Sequence, residues 1–139
     1  MRRTLLVSGS VVAMLFVALA GVASAVDVKV TLSPSQEVPA VTSTASGSGT
    51  ITIGDDMSVS GSVTTTGIDG VAAHIHMAAA GKNGPVAVPL TKGSDGQWSV
   101  APGAKLNDAQ YAAFKAGELY VNVHSAANKG GEIRGQLKP

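Results

Sequence analysis

The residues of this chain best suited to chemistry are its three histidines, His74, His76 and His124. His74 and His76 are one residue apart in an alternating segment, residues 71–77, so in a strand both imidazoles project from the same face. Imidazole nitrogen is a usual protein ligand for zinc and copper, and three imidazoles suit a site that holds one metal ion. We predict that the three histidines bind a single copper or zinc ion. The alternative is that they are polar surface residues without a ligand.

Polar side chains accompany His124 in the last two segments that alternate like strands. In the first of these segments the apolar side chains point one way, while Asn122 and His124 point the other way. If the connecting loop closes symmetrically, Glu132 lies opposite His124 and Arg134 lies opposite Asn122. A carboxylate beside an imidazole orients its tautomer or stabilises its cation. We therefore predict that Glu132, Asn122 and Arg134 support the metal-binding histidines.

No residue of the chain is predicted to be catalytic. Ser125 follows His124, but the Gly-x-Ser-x-Gly motif of a nucleophile held in a sharp turn is absent from the sequence. The sulfur of Met77 would suit Cu(I), yet strand alternation turns it away from His74 and His76. We expect a binding protein and not an enzyme.

The first 25 residues have the composition of a secretory signal peptide. Arg2 and Arg3 form a positive start, residues 4–20 carry no charge, and Ala23-Ser24-Ala25 is a small-x-small cleavage site. A retained membrane anchor is the alternative, because the apolar run is near the lower length limit for a spanning helix. We predict cleavage after Ala25, which changes the formal net charge from +1 to −1 and leaves no transmembrane segment. The protein is then secreted or extracytoplasmic, in the periplasm or on the outside of the cell envelope.

Residues 26–139 are enough for one domain with a modest core. The sequence contains no cysteine, so this domain has no disulfides and must be held together by strand pairing and apolar burial. Only 4% of the residues are aromatic, and no basic patch is present, so binding to nucleic acid is not expected.

Period-two alternation dominates the rest of the sequence and predicts an all-β domain. The predicted strands are residues 26–32, 46–53, 57–65, 71–77, 86–90, 97–100, 119–124 and 132–137. One short helix is predicted to begin at the N-cap Asn107 and to end at Gly117. Many short strands separated by glycine-rich turns predict an immunoglobulin-like or Greek-key β-sandwich or barrel.

Several motifs together resemble the CHRD family, whose domain is repeated in chordin and also occurs alone in bacterial exported proteins. In order along the chain they are Ser35-Gln36-Glu37-Val38-Pro39, Ala73-His74-Ile75-His76, Gly81-Lys82-Asn83-Gly84-Pro85-Val86, Gly117-Glu118-Leu119-Tyr120-Val121-Asn122-Val123-His124-Ser125 and Gly130-Gly131-Glu132-Ile133-Arg134-Gly135-Gln136-Leu137. One departure is Met77-Ala78-Ala79-Ala80, where members of the family usually have a glycine. The resemblance implies an immunoglobulin-like or related β-barrel fold and an extracytoplasmic location.

A weaker resemblance is to copper–zinc superoxide dismutase, which is also an exported Greek-key protein with His-x-His on a strand. That family uses more histidines, an aspartate and a disulfide, so a dinuclear site is not implied for this chain. Three functions remain open. They are the binding of one copper or zinc ion, a non-catalytic module that holds a protein or envelope glycan with a sheet face or residues 78–85, and dismutase-like redox activity.

Overall fold

A computed structural model describes residue 21 and residues 23–139 of the chain. The strands are β1 (Ala25–Leu32), β2 (Ser46–Gly54), β3 (Val59–Thr66), β4 (Gly70–Met77), β5 (Val86–Lys92), β6 (Gln97–Val100), β7 (Leu119–Ser125) and β8 (Ile133–Leu137). The α-helix, α1, spans Asp108–Lys115, and a 3₁₀ helix at Pro34–Gln36 follows β1. The predicted signal peptide, residues 1–25, lies almost entirely outside the described residues. Within the described part, no helix has the length and apolar character needed to cross a membrane.

The eight strands form one antiparallel sheet in the order β1-β2-β3-β6-β5-β4-β7-β8. The sheet curls until its two ends meet, where Ser33 and Arg134 exchange backbone hydrogen bonds of 2.9 and 3.1 Å. The all-β prediction is confirmed. Of the two architectures predicted, the protein adopts the nearly closed barrel and not the sandwich.

A Greek-key connection places β7 beside β4. Strands β4, β5 and β6 form a meander, and the chain then passes through α1 and returns to pair β7 with β4. The helix begins as predicted at Asn107, whose side chain accepts a 2.8 Å hydrogen bond from the backbone of Gln110 in a capping box. Because of this return, residues far apart in sequence become neighbours on one sheet face.

Alternating apolar side chains of the strands fill the interior of the barrel, as the sequence pattern predicts. The core residues contributed by β4, β7 and β8 are Ala73, Ile75, Leu119, Val121, Val123, Ile133 and Leu137. Burying a side chain the size of Val or Ile stabilises the fold by about 1.5–3 kcal/mol. The opposite face of the same three strands is polar and lies outside the barrel, and this face carries the histidines.

Candidate functional site

The pairing of β4 with β7 brings all three histidines to one place. In this ladder His74 lies opposite Asn122 and His76 lies opposite Tyr120. His124 comes two residues after Asn122 on β7, opposite Ala72, and lies on the same face. One ring nitrogen from each histidine lies within 4.8 Å of the others. The structure therefore assembles the three residues that the sequence analysis selected. They form a partly buried cluster, which we call the histidine cluster, and not a fully exposed one.

The closest pair in the histidine cluster is His74 and His124, whose Nδ1 and Nε2 atoms are 3.0 Å apart. The Nδ1 atom of His124 also lies 2.8 Å from the carbonyl oxygen of Lys129. A carbonyl oxygen only accepts hydrogen bonds, so this Nδ1 carries the hydrogen and Nε2 of the neutral ring carries a lone pair. Tetrahedral zinc with bonds of about 2.0–2.1 Å sets two ligand nitrogens roughly 3.3 Å apart. The His74–His124 separation is already close to that value.

His76 is held by the loop that follows β4. Its Nδ1 atom donates a 2.9 Å hydrogen bond to the carbonyl oxygen of Gly84, and its ring stacks on Tyr120 with an interplanar angle of 2°. The backbone N–H of Gly84 in turn donates to the Tyr120 hydroxyl at 3.2 Å. Only glycine fits at this position, because a Cβ atom would collide with the carbonyl oxygen of Met77. The Gly84 peptide thus fixes the ring of His76 and leaves its Nε2 atom free to bind a ligand.

Burial keeps the cluster in the form that binds metal. It lowers the pKa of both His74 and His76, and the nearby His124 lowers both further. The charge of Arg134 adds to the lowering at His76, while the carbonyl of Gly84 opposes it. Neutral imidazole is the metal-binding form of histidine, so burial favours the form that can coordinate a metal, while the charge of Arg134 opposes any cation at His76.

Arg134 ties two loops to the polar face of the sheet. Its side chain is 3% exposed, and its guanidinium forms an ion pair of 3.0 Å with Glu37. It also donates to the carbonyl oxygen of Lys82 at 2.9 Å and to the side chain of Asn83 at 2.5 Å, and it stacks 3.9 Å from the centre of the Tyr120 ring. Because Lys82 and Asn83 belong to the loop that carries Gly84, Arg134 acts on His76 indirectly.

Glu132 does not have the predicted position beside the ring of His124, and that prediction is wrong. The β7–β8 ladder ends at the pair Val123–Ile133, and the carboxylate turns instead into the loop between the strands. There it accepts hydrogen bonds from Ser125 at 2.7 Å and Asn128 at 3.0 Å, and it accepts a third from Ser43, in the segment before β2, at 2.9 Å. The three donors satisfy the carboxylate, and the carbonyl oxygen of Lys129 orients the His124 ring in its place.

Sequence reasoning missed three groups that shape the site. Glu37 lies in a proline-containing loop, and Gly84 and Lys129 act through backbone carbonyls that carry no sequence signal. A signal for Glu37 does exist in principle. An arginine on a strand whose face is covered by loops requires a carboxylate partner, and Glu37 is the acid of the motif that follows β1.

The CHRD domain model matches residues 28–137. The chain belongs to the CHRD family. No curated protein and no solved structure matches the chain. CHRD domains are typically extracellular interaction modules, and this chain falls in that broad class. The match covers β1 through β8, so the histidine cluster and the Arg134–Glu37 pair both lie inside the CHRD domain.

Proposed function

We propose that this CHRD protein binds a single zinc or copper ion through His74, His76 and His124. The observation that supports the proposal is the convergence of three imidazole nitrogens within 4.8 Å of one another. In the rings of His76 and His124, a backbone carbonyl holds the hydrogen on Nδ1. The lone pair on Nε2 of each ring is then available to a metal ion. Binding then serves the storage, transfer or sensing of the metal outside the cytoplasm, where the signal-peptide prediction places the protein.

The donor atoms favour Zn(II) or Cu(II) over Cu(I). All three are imidazole nitrogens, which suit both divalent ions, whereas Cu(I) prefers thiolate and thioether sulfur. The nearest candidate sulfur in sequence, that of Met77, packs against the hydrophobic core of the barrel. The residues predicted to support the histidines are Glu132, Asn122 and Arg134, and two of them then have separate tasks. Arg134 holds the loop that carries Gly84, and Glu132 orders the loop that carries Lys129.

Titration calorimetry with zinc and with copper(II) tests the proposal. We expect binding of one ion per chain with a Kd of about 1 μM or tighter, equivalent to about 8 kcal/mol. The variant His76→Ala should lose at least about tenfold in affinity. The control variant Glu118→Gln changes an exposed carboxylate away from the cluster and should bind like the unaltered protein. Binding no tighter than about 10 μM for both metals would overturn the proposal.

An open cleft next to the histidine cluster supports a second candidate function, that of a non-catalytic interaction module. The cleft has a volume of about 180 Å³ and is lined by Glu37, Val38, Pro39, Val41, Asn128, Gly130 and Gly131. Its mixture of apolar side chains and backbone polar groups suits a segment of protein or a sugar. Titration with envelope glycan, followed by NMR, would support this function if shifts were confined to the cleft and metal had no effect. Dismutase-like activity is the third candidate, tested by assaying the copper-loaded protein.

A further inference from the structure

Among the described residues, three buried side-chain atoms have no hydrogen-bond partner, Nε2 of His76, Oδ1 of Asn122 and Oε1 of Glu37. The first two belong to the face that carries the histidine cluster, where His76 and Asn122 are 9% and 1% exposed. Asn122 lies opposite His74 in the β4–β7 ladder, so its side chain is on the same face as His76 and diagonally adjacent to it. Even so, neither atom completes a hydrogen bond. A buried polar atom left unpaired costs about 1–3 kcal/mol, so these two atoms indicate an occupant between them.

The surroundings of Asn122 decide which end of its amide faces His76. The Nδ2 atom points toward the carbonyl oxygen of Gly130, at 3.4 Å, and toward the carboxylate of Glu37. A Cβ atom added to Gly131 would collide with both Oε1 of Glu37 and Nδ2 of Asn122, so these two atoms lie close to each other. A carbonyl and a carboxylate both accept hydrogen bonds, so the donor end of the amide belongs there. Oδ1 is therefore directed to the other side, toward His76.

The facing atom of His76 is also an acceptor. Its Nδ1 hydrogen is used in the bond to Gly84, so Nε2 of the neutral ring presents a lone pair. Two lone pairs that face each other in a buried site repel unless a cation or a hydrogen-bond donor lies between them. We infer that Oδ1 of Asn122 is a fourth ligand, so that the site holds a divalent metal with three imidazole nitrogens and one amide oxygen. The inference rests on the proposed function and extends it to the coordination and chemical class of the site.

A site with three imidazole nitrogens and one amide oxygen is suited to retaining its metal ion. An amide oxygen occurs as a weak axial ligand beside histidines in copper proteins. Sites with four protein ligands are typical of metals that are held, whereas catalytic sites keep a position open for water or substrate. A single buried water is the rival occupant, because it too could donate to both atoms. The cation is favoured because one ring nitrogen each of His74 and His124 lies within 4.8 Å of a ring nitrogen of His76.

The test is NMR of the side-chain amides during a zinc titration of the unaltered protein. Direct coordination should shift the Asn122 Cγ and Nδ2 resonances in step with the histidine rings, with saturation at one zinc per chain. Asn107, the N-cap of α1, whose side chain accepts a hydrogen bond from the backbone of Gln110, is the internal control and should not shift. The variant Asn122→Asp replaces the amide oxygen by a carboxylate oxygen and should bind zinc at least about tenfold more tightly. The same change at the control position, Asn107→Asp, keeps an N-cap residue and should alter affinity less than about threefold.

The outcomes separate this inference from the proposed function. If zinc shifts the histidine resonances while those of Asn122 stay in place, the three-histidine site stands and the fourth ligand is overturned. An unchanged Asn122 spectrum together with equal effects of Asn122→Asp and Asn107→Asp assigns the gap to water. If zinc shifts none of these resonances, both proposals fail together.

Discussion

Nδ1 of His74 lies 3.0 Å from Nε2 of His124, although the two residues are 50 positions apart in the sequence. The Lys129 carbonyl keeps the His124 hydrogen on Nδ1, so in the metal-free protein His74 must donate through its own Nδ1–H. A metal ion bound by both nitrogens replaces that hydrogen. Metal binding through this pair therefore requires His74 to change its tautomer, whereas His76 and His124 keep theirs.

The tautomer change is a prediction that nitrogen NMR can check. In the metal-free protein at neutral pH, long-range ¹H–¹⁵N spectra should show the Nδ1–H form for His76. On saturation with zinc, His74 should change from the Nδ1–H form to the Nε2–H form, because its Nδ1 atom becomes a ligand. A His74 ring that remains Nδ1–H in the zinc-saturated protein would contradict the proposed coordination.

The second prediction concerns the buried ion pair of Glu37 and Arg134. The variant Glu37→Ala leaves an uncompensated guanidinium at a site that is 2% exposed, and removing one partner of a buried pair costs about 3–5 kcal/mol. Urea denaturation should record a loss of this size in the free energy of unfolding. Glu118→Ala removes an exposed carboxylate and should change it by less than about 0.5 kcal/mol. A loss below about 1 kcal/mol for Glu37→Ala would show that the pair does not hold the loops.

The third prediction is a pH dependence of stability that comes from Glu132. The hydrogen bond from Ser125 lowers the pKa of this carboxyl from its usual value of 4.5, and bonds from Ser43 and Asn128 lower it further. The ionised form is thus favoured in the folded state, so its stabilisation is complete above the unfolded pKa and is lost as the pH falls through the folded pKa. Glu132→Gln should reduce stability at pH 7 and lose that effect at about pH 3.

Urea midpoints measured at pH 7, 5 and 3 for Glu132→Gln and the unaltered protein provide the check. The difference between the two midpoints should be largest at pH 7 and should shrink toward zero at pH 3. A difference that grows as the pH falls would mean that Glu132 is protonated in the folded state, contrary to its three donors.

A fourth prediction addresses Gly84, whose peptide holds both His76 and Tyr120. Gly84→Ala forces a Cβ atom against the carbonyl oxygen of Met77, and overpacking of this kind costs about 1–3 kcal/mol. The shift of the loop should also lower zinc affinity by about tenfold, as the loss of a partner that orients a ligand does. Gly93→Ala, in the turn between β5 and β6, is the matched control, since a Cβ atom there makes only ordinary contacts, the nearest at 3.4 Å. Equal zinc affinities for the two variants would remove Gly84 from the site.

Much of the fold follows from the sequence because strand alternation and turn residues are local signals. The pattern in β7 and β8 also predicts the pairing of Asn122 with Arg134 that the structure contains. The convergence of His124 with His74 and His76 depends instead on the Greek-key return of β7 to β4, which no local pattern encodes. The sequence singled out the three histidines that meet in the structure, but not the reason that they meet.

The contacts that orient the three histidines were the least predictable part of the site. Counting residues around the β7–β8 loop pairs Glu132 with His124. The carboxylate of Glu132 instead accepts hydrogen bonds from the side chains of Ser43, Ser125 and Asn128. The groups that orient His76 and His124 are the carbonyl oxygens of Gly84 and Lys129. Every residue has a carbonyl oxygen, so residue type does not reveal which of them will accept a histidine hydrogen.

The most direct test of the central claim is to locate the metal itself. Crystals grown with one equivalent of zinc should give a single anomalous peak at the zinc absorption edge, with Nδ1 of His74 and Nε2 of His76 and His124 at about 2.0–2.1 Å. A peak bound by other residues, or no peak at zinc concentrations well above 10 μM, would contradict the account.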